Sequence, residues 1–200
     1  FGYKNSNGMT VLVIQYSWPV FIIIIAAIIL KEQITIKKAI GALLGFGGVF
    51  LVITRGQIST ISFSDSYSLL LILCGSFSFA LFSVLSKKIE LEPYSLNTVY
   101  FLTATVFSFF SMLIFSDFKF PDKNSLLPII INGMFVNGYS YVLWILALKE
   151  AKASFAATVV FLTPVVAAMY LVVFFGEPLI AVYIAGLLAV ISAGILGSNS

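Results

Sequence analysis

Histidine is absent from this 200-residue chain, and cysteine occurs once, at Cys74. Without histidine there is no histidine-ligated zinc site and no Ser-His or Cys-His nucleophile pair. A lone cysteine forms no internal disulfide. No pair of aspartates lies deep in an apolar run, so the sequence offers no chemistry for an intramembrane enzyme. We therefore predict a protein that is not an enzyme and that has no metal site and no cofactor.

Charged residues are also scarce. Eleven Lys+Arg and eight Asp+Glu make up 10% of the chain, against about 25% in an ordinary soluble domain. Apolar residues make up 60%, and the mean hydropathy is +1.10. A soluble protein of this length could not cover its surface with so few charges. We predict an integral membrane protein whose partner is the lipid bilayer, and we interpret the net charge of +3 as a loop bias rather than as a sign of nucleic-acid binding.

Long charge-free runs divide the chain into membrane spans. Six runs have at least 21 residues without a charge, and about 20 helical residues cross a bilayer core. A shorter run, 39–54, becomes a span if Lys37 and Lys38 extend to the headgroups. The runs are continuously apolar, which favours helices over the alternating strands of a barrel. The predicted fold is all-α with seven transmembrane helices, near 9–30, 34–54, 66–86, 96–116, 126–148, 153–175 and 179–198.

Basic residues sort to one side of the predicted membrane. Seven of the eleven lie in the loops after spans 1, 3 and 5, and four lie on the other side. Cytoplasmic loops carry the excess of lysine and arginine. We therefore predict that the C-terminus is cytoplasmic and that the protein lies in the cell (inner) membrane. The seven are Lys31, Lys37, Lys38, Lys87, Lys88, Lys149 and Lys152.

The chain contains an internal repeat with a shift of 145 residues. Proline and glutamate matches are informative, because the chain has only six prolines and five glutamates. The two copies begin five helices apart, and an odd separation makes them antiparallel, as in the inverted repeats of many secondary transporters. The matched pairs include Lys4 and Lys149, Pro19 and Pro164, Glu32 and Glu177, Gly41 and Gly186, and Leu43 and Leu188.

These residues resemble a known family. The end of an EamA-type repeat, which defines the drug/metabolite transporter superfamily, is similar to Ala147, Leu148, Lys149, Ala153, Ser154, Pro164, Glu177 and Gly186. The same end of a preceding repeat is similar to Gly2, Tyr3, Lys4, Pro19, Glu32, Gly41, Gly48 and Val49. The resemblance implies ten helices in two inverted five-helix units. It assigns 1–55 to the last two helices of the first repeat plus a remnant, 56–65 to a linker and 66–200 to a complete second repeat. We therefore expect an N-terminally truncated piece that lacks three helices.

Polar and aromatic residues at helical spacing are the candidate solute contacts. Asn137, Tyr141 and Trp144 share one face of span 5, and an amide in hydrocarbon must meet protein or water. Asn132 falls on a different α-helical face, where we expect a contact with another helix. The alternative for all these residues is ordinary helix packing. The other candidates are Gln15, Tyr16 and Trp18 of span 1 and Thr158, Phe161 and Thr163 of span 6.

Six further residues are predicted to shape the helices. Pro19 and Pro164 lie near mid-span, where they free the carbonyls of Gln15 and Val160 and kink the helix. Gly41 and Gly186 allow helices to approach closely. Glu32 and Glu177 stand at helix ends; we interpret them as interfacial charges that fix a turn, with a gating carboxylate as the alternative.

The predicted function is a secondary carrier or exporter that works by alternating access around a midplane cavity. Aromatic and amide side chains without a deep charge favour a small amphipathic solute, with an amino acid as the first choice. Two alternatives stay open. A receptor or sensor would have seven helices but no need of a repeat, and a lipid flippase would show a groove open to lipid.

Overall fold

The computed structural model describes residues 6–61, 66–116 and 120–198, and over these ranges it contains helices and no strand. Lys4, and with it the first pair of the repeat, lies outside the described residues. So do Gly2, Tyr3 and part of the predicted linker 56–65. The helices are α1 (Gly8–Gln15), α2 (Trp18–Ile29), α3 (Ile36–Thr54), α4 (Ser66–Lys88), α5 (Pro93–Phe115), α6 (Lys123–Ile131), α7 (Ser140–Glu150), α8 (Ala153–Val160), α9 (Leu162–Phe175) and α10 (Ala181–Ser198).

Six helical segments among the described residues are long and apolar enough to cross a bilayer, and they confirm six of the predicted spans. Their ends lie within three residues of the predicted ones. The seventh prediction corresponds to α10, which is apolar but shorter, so a count of seven spans stays a prediction. The six are Gly8–Ile29, Ile36–Thr54, Ser66–Lys88, Pro93–Phe115, Lys123–Glu150 and Ala153–Phe175.

Three of the six spans are not continuous α-helices. The first is interrupted at Tyr16–Ser17 and resumes as α2, with Pro19 in the first turn, where a missing N–H costs nothing. The sixth is interrupted at Phe161, between α8 and α9. The fifth contains a π-helical segment, Asn132–Tyr139, between α6 and α7. These interruptions lie in the three spans that carry the candidate solute contacts.

The chain divides into two compact units, Phe1–Leu85 with Ala151–Ser200 and Ser86–Glu150. This division by compactness is not the division into repeats, and the boundaries 1–55, 56–65 and 66–200 stay a prediction. In the first unit a buried cluster joins residues of α3, α9 and α10 to Phe161. Its members are Val49, Val52, Phe161, Val165, Ala168, Tyr183 and Val190.

Glycines bring α3 and α10 into close contact. A Cβ atom on Gly48 would lie 2.9 Å from the carbonyl oxygen of Gly186, and one on Gly41 would lie 3.1 Å from that of Ala193. A Cβ on Gly186 would clash with a methyl group of Val52. Small residues let the two backbones approach in this way, as is common in membranes. The contact between α3 and α10 therefore requires hydrogen at Gly48 and Gly186.

The second unit is held at one end by lysines that bond to backbone carbonyls. Lys87 donates to the carbonyl of Leu148, and Lys149 donates to the carbonyl of Leu91. The carbonyl of Leu148 lies in the last turn of α7, where carbonyls lack intrahelical partners and attract a positive charge, and that of Leu91 lies in the turn between α4 and α5. These bonds tie the end of α4 and the start of the following turn to the end of α7.

Candidate functional site

The break in the first span contains Gln15, Tyr16 and Trp18. Pro19 has no N–H to offer the carbonyl of Gln15, and the hydroxyl of Ser76 on α4 lies 3.1 Å from that oxygen and 3.4 Å from the carbonyl oxygen of Ile14. The same hydroxyl lies 3.0 Å from a carbonyl of its own helix. Since a hydroxyl has one proton, it is shared among these acceptors. The carbonyls freed at the helix break thus have a partner within the protein, whereas the hydroxyl of Ser17 in the break is buried without one.

The three side chains at this break have different surroundings. The ring of Trp18 meets the ring of Phe79 edge to face, with centroids 4.8 Å apart. Tyr16 is half-buried and packs against the cluster that contains Phe161. Gln15 is exposed. Gln15 therefore has the exposure that a polar solute contact needs, whereas Trp18 and Tyr16 make aromatic and cluster contacts.

The break between α8 and α9 contains the second group of candidates. Phe161 is fully buried, and a Cβ on Gly45 would clash with its ring. Thr158 is buried and donates to the carbonyl of Ser154 at 2.9 Å. Thr163 is exposed and lines a cavity of about 680 Å³ on the first unit. The structure brings Thr163 to a cavity, while Phe161 and Thr158 contact protein; solute binding by all three stays a prediction.

The π-helical segment carries the third group, in the second unit. Asn137 donates to both the side-chain and the backbone oxygen of Asn132. We expected Asn132 on a different face, and that expectation was wrong, because i→i+5 bonding places residues five apart next to each other. Tyr141 meets Phe101 edge to face at 5.4 Å. Trp144 is half-buried on α7.

Sequence reasoning missed Asn97, which lies beside this segment. Its side chain is buried, and its amide donates to the carbonyl of Gly138 at 3.3 Å. Its oxygen Oδ1 is buried without a hydrogen-bond partner in the structure. Asn97 and Phe101 are four residues apart on α5, so they share one face. The only signal in the sequence was an amide four residues inside an apolar run. No pattern in the sequence indicated that its partner is the carbonyl of Gly138.

Glu32 connects the turn between α2 and α3 to the start of α8. One carboxylate oxygen accepts the backbone N–H of Ala153 at 2.8 Å, and the other accepts the N–H of Ser154 at 3.1 Å and its hydroxyl at 2.5 Å. The carboxylate thus satisfies N–H groups that a helix start leaves unpaired and meets the positive end of the helix dipole. Partial burial opposes ionisation, but these bonds and the charge of Lys38 outweigh it and hold the pKa of Glu32 below its ordinary value.

Glu177, the repeat partner of Glu32, has a different environment. Its carboxylate lies 3.5 Å from the guanidinium of Arg55, and both side chains are well exposed. The two turns nevertheless have the same backbone. Lys31 and Gly176 are both left-handed, with φ of 56° and 68°. The N–H of the glutamate that follows each of them bonds to the carbonyl six residues back, Ala26 or Leu171, at 3.3 and 3.4 Å.

The described residues contain no group of three or more His, Cys, Asp or Glu that could hold a metal ion. The candidate site residues are instead a few amides, hydroxyls and aromatic rings on apolar helices that are interrupted within the span. Together with six spans of membrane length, they define a multi-pass membrane protein with discontinuous helices, the architecture on which transporters are built.

The model of the EamA-like transporter family matches residues 1–54 and again 66–199. An uncharacterized transporter, YyaM, of Bacillus subtilis (strain 168) is 32% identical over 173 residues, which are 82% of this chain and 56% of that protein. An uncharacterized transporter of Archaeoglobus fulgidus is 27% identical over 185 residues, 90% of this chain and 64% of that protein. The chain belongs to the EamA-like transporter family, as the sequence resemblance indicates.

A crystal structure of 16% sequence identity superposes on this chain with a TM-score of 0.87. It covers 99% of this chain, and the chain covers 69% of it. At this identity the likeness shows the fold alone. The matched part of the chain spans 56% and 64% of the length of these two relatives. The activity of the complete protein is therefore treated below as a proposal.

Proposed function

We propose that this chain forms the larger part of a secondary carrier for small amphipathic solutes, with amino acids as the first class to test. Two inverted repeats would rock about a midplane cavity and expose it to each side of the membrane in turn. In this proposal the chain lies in the cell membrane with its C-terminus in the cytoplasm. The observation that best supports this proposal is the symmetry of the contacts between α3 and α10.

The repeat relates two contacts between α3 and α10 to each other. Under the shift of 145 residues, Gly41 becomes Gly186 and Ala193 becomes Gly48. The contact of Gly41 with Ala193 therefore becomes the contact of Gly186 with Gly48, and both are backbone contacts of glycine with a carbonyl. A pair of contacts that map onto each other in reverse is what a two-fold axis in the membrane plane generates. The matching turns at Lys31 and Gly176 also support this symmetry.

The breaks in the helices support a solute site near the middle of the spans. The repeat relates Tyr16 to Phe161, so both copies interrupt the helix at the same place. Irregular backbone at membrane depth is tolerated where protein or a cavity surrounds it. Asn137 and the rings of Tyr141 and Trp144 provide hydrogen bonds and flat apolar area, which suits a solute with a polar end and an apolar end. The described spans carry no carboxylate at their centres, so the solute need not be a cation.

The test is counterflow of labelled amino acids, aromatic and aliphatic, into proteoliposomes that contain the full-length protein. We expect accumulation above that in empty liposomes, and a loss of at least tenfold with Trp144→Ala. The control is Phe135→Ala, which removes an exposed ring two turns earlier and should leave uptake unchanged. Uptake that survives Trp144→Ala would contradict the assignment of this face, and no uptake of any amino acid would contradict the proposed solute class.

A further inference from the structure

An apolar groove of about 410 Å³ lies between α2 and α3 in the first unit. Nine of its ten lining side chains are hydrocarbon, and the tenth is Ser17, whose hydroxyl is buried without a hydrogen-bond partner in the structure. Ile24 and Leu43 on its walls are 45% and 73% exposed, so the groove is open on its outer side. The lining residues are Ser17, Val20, Phe21, Ile23, Ile24, Ile34, Ala39, Ala42, Leu43 and Phe46.

Small side chains on α3 create the groove. Ala39 and Ala42 are three residues apart and share one face of the helix, and this face is separate from the glycine face that meets α10. The lining extends over positions 17–24 and 39–46, eight residues in each span, which corresponds to roughly 10 Å of helix rise. A groove of this length without polar walls suits one hydrocarbon chain that lies along the helices.

One end of the groove lies next to the turn between α2 and α3, which is rich in lysine. Ile34 and Ala39 line this end, and Lys31, Lys37 and Lys38 lie within a few residues of them. Lys38 donates to the carbonyl of Gln33 at 3.0 Å, while Lys31 and Lys37 are exposed.

The acidic residue of this turn does not neutralise the exposed lysines directly. The carboxylate of Glu32 is bonded to the start of α8, and Lys152, which precedes α8, adds a further positive charge to this region. The mouth of the groove therefore has a positive charge suited to an anion, on the side that we predict to be cytoplasmic.

We propose that this groove binds one acyl chain of an anionic phospholipid, whose phosphate lies against Lys31 and Lys37. Anionic lipids are abundant in the cytoplasmic leaflet and attract basic residues next to membrane spans. The hydrocarbon walls would hold the chain but offer no path for a headgroup, so the site fits a bound lipid and not lipid translocation.

The second repeat provides an internal comparison, which depends on the repeat relation proposed above. The positions equivalent to Ala39 and Ala42 hold Ile184 and Leu187, which have larger side chains. The positions equivalent to Lys31, Lys37 and Lys38 hold Gly176, Val182 and Tyr183, so that turn has no lysine. The second copy thus has larger side chains and no lysine at these positions, and we expect the lipid site in the first copy alone.

The equivalent surface in the second repeat is exposed even though the spans that precede it in that repeat are present. Leu179, Ile184, Leu188 and Ile191, which correspond to Ile34, Ala39, Leu43 and Phe46, are 45–60% exposed. If the two repeats are alike, helices that precede span 1 in a complete protein would leave the groove of the first copy open as well. The groove would then face the bilayer, and lipid is the molecule that would fill it.

The test is native mass spectrometry of the full-length protein released from vesicles of equal parts phosphatidylglycerol and phosphatidylcholine. We expect phosphatidylglycerol to be retained in preference. Lys31→Gln with Lys37→Gln should lower that preference about fivefold for each lysine. Lys88→Gln with Lys123→Gln removes two exposed lysines elsewhere and should leave it unchanged.

The groove itself is tested by Ala39→Ile, which introduces the residue of the second copy and should reduce retention of both lipids. Ala185→Ile, the reciprocal change at an exposed site equivalent to Ile40, is the control and should reduce neither. Variants are compared only where the thermal midpoint matches the parent protein. Equal retention of the two lipids by the parent protein, or full retention with Ala39→Ile, would overturn the proposal. Displacement of the lipid by soluble glycerol phosphate would also overturn it, because it would indicate a phosphate site without a chain.

Discussion

Replacing Glu32 by glutamine tests the contact between the α2–α3 turn and α8. The carboxylate accepts hydrogen bonds from two backbone N–H groups and one hydroxyl, all from Ala153 and Ser154. Glutamine has one acceptor oxygen and no charge, so at least one N–H of the helix start loses its partner. Its effect should therefore be that of removing a helix N-cap that is supplied from a distant part of the chain.

The expected loss of stability is about 2 kcal/mol. Loss of an N-cap costs roughly 0.5–2 kcal/mol, and a hydrogen bond to a charged group contributes about 1.5–3 kcal/mol. Both ranges describe the same hydrogen bonds and overlap at about 1.5–2 kcal/mol, and because the side chain is only partly buried we do not go above this overlap. For a chain of this size, about 2 kcal/mol corresponds to a fall of roughly 4–8 °C in the thermal midpoint.

The effect should depend on pH with a definite sign. The pKa of Glu32 is lower in the folded protein than its ordinary value of 4.5. A lowered pKa contributes stability that is present above the unfolded value and is lost as the pH falls through the folded value. The difference between parent protein and Glu32→Gln should therefore be constant from pH 7 down to about pH 5 and shrink below that.

The assay is thermal unfolding of the purified protein in detergent at pH 7, 5.5 and 3.5. The control is Glu177→Gln, at the repeat-equivalent position, where an exposed ion pair with Arg55 is worth about 0.5 kcal/mol. A loss with Glu32→Gln no larger than with Glu177→Gln, or a difference that grows on acidification, would refute the reasoning.

Three further predictions concern packing, and thermal unfolding checks each of them. Gly48→Ala should cost about 1–3 kcal/mol, because its Cβ would meet a carbonyl oxygen at 2.9 Å. Gly194→Ala should be neutral or stabilising, because the place of its Cβ is open. Equal effects of the two changes would exclude the close contact of α3 with α10. Phe161→Ala should cost about 3–5 kcal/mol, since the ring is fully buried, and a loss below about 1 kcal/mol would mean that the ring is not part of the core. Ser76→Ala should cost about 1 kcal/mol more than Ser78→Ala, because only Ser76 also reaches the broken first span.

The transmembrane spans could be predicted to within a few residues, but the interruptions inside them only in part. Pro19 and Pro164 indicated where two helices lose a hydrogen bond, because proline has no N–H. No residue type indicated the π-helical segment Asn132–Tyr139 in the same way, since its residues also fit an α-helix. The single error at Asn132 follows from this, because a change from i→i+4 to i→i+5 bonding changes which residues are neighbours.

The candidate site was predictable as a set of residue types and not as a set of contacts. Thr158, Phe161 and Thr163 are close in sequence and were treated together, yet two are buried in protein and one faces a cavity. Asn97 was missed because its partner, Gly138, is 41 residues away. Side-chain burial depends on which helices pack together, and a helical pattern in one span does not specify its neighbours.

By itself, the sequence determined that this chain lies in a membrane, crosses it as helices and belongs to the EamA-like family. The reason is physical: a bilayer core excludes charge and requires backbone polar groups to be paired within the protein, and a helix pairs nearly all of its own, so long uncharged runs form helices. Only the tertiary structure decided the partners of individual groups. The start of α8 is capped by Glu32 from more than a hundred residues away, and the carbonyl of Gln15 is met by Ser76 from 61 residues away. Such partners are selected by the packing of whole helices, which no local pattern encodes.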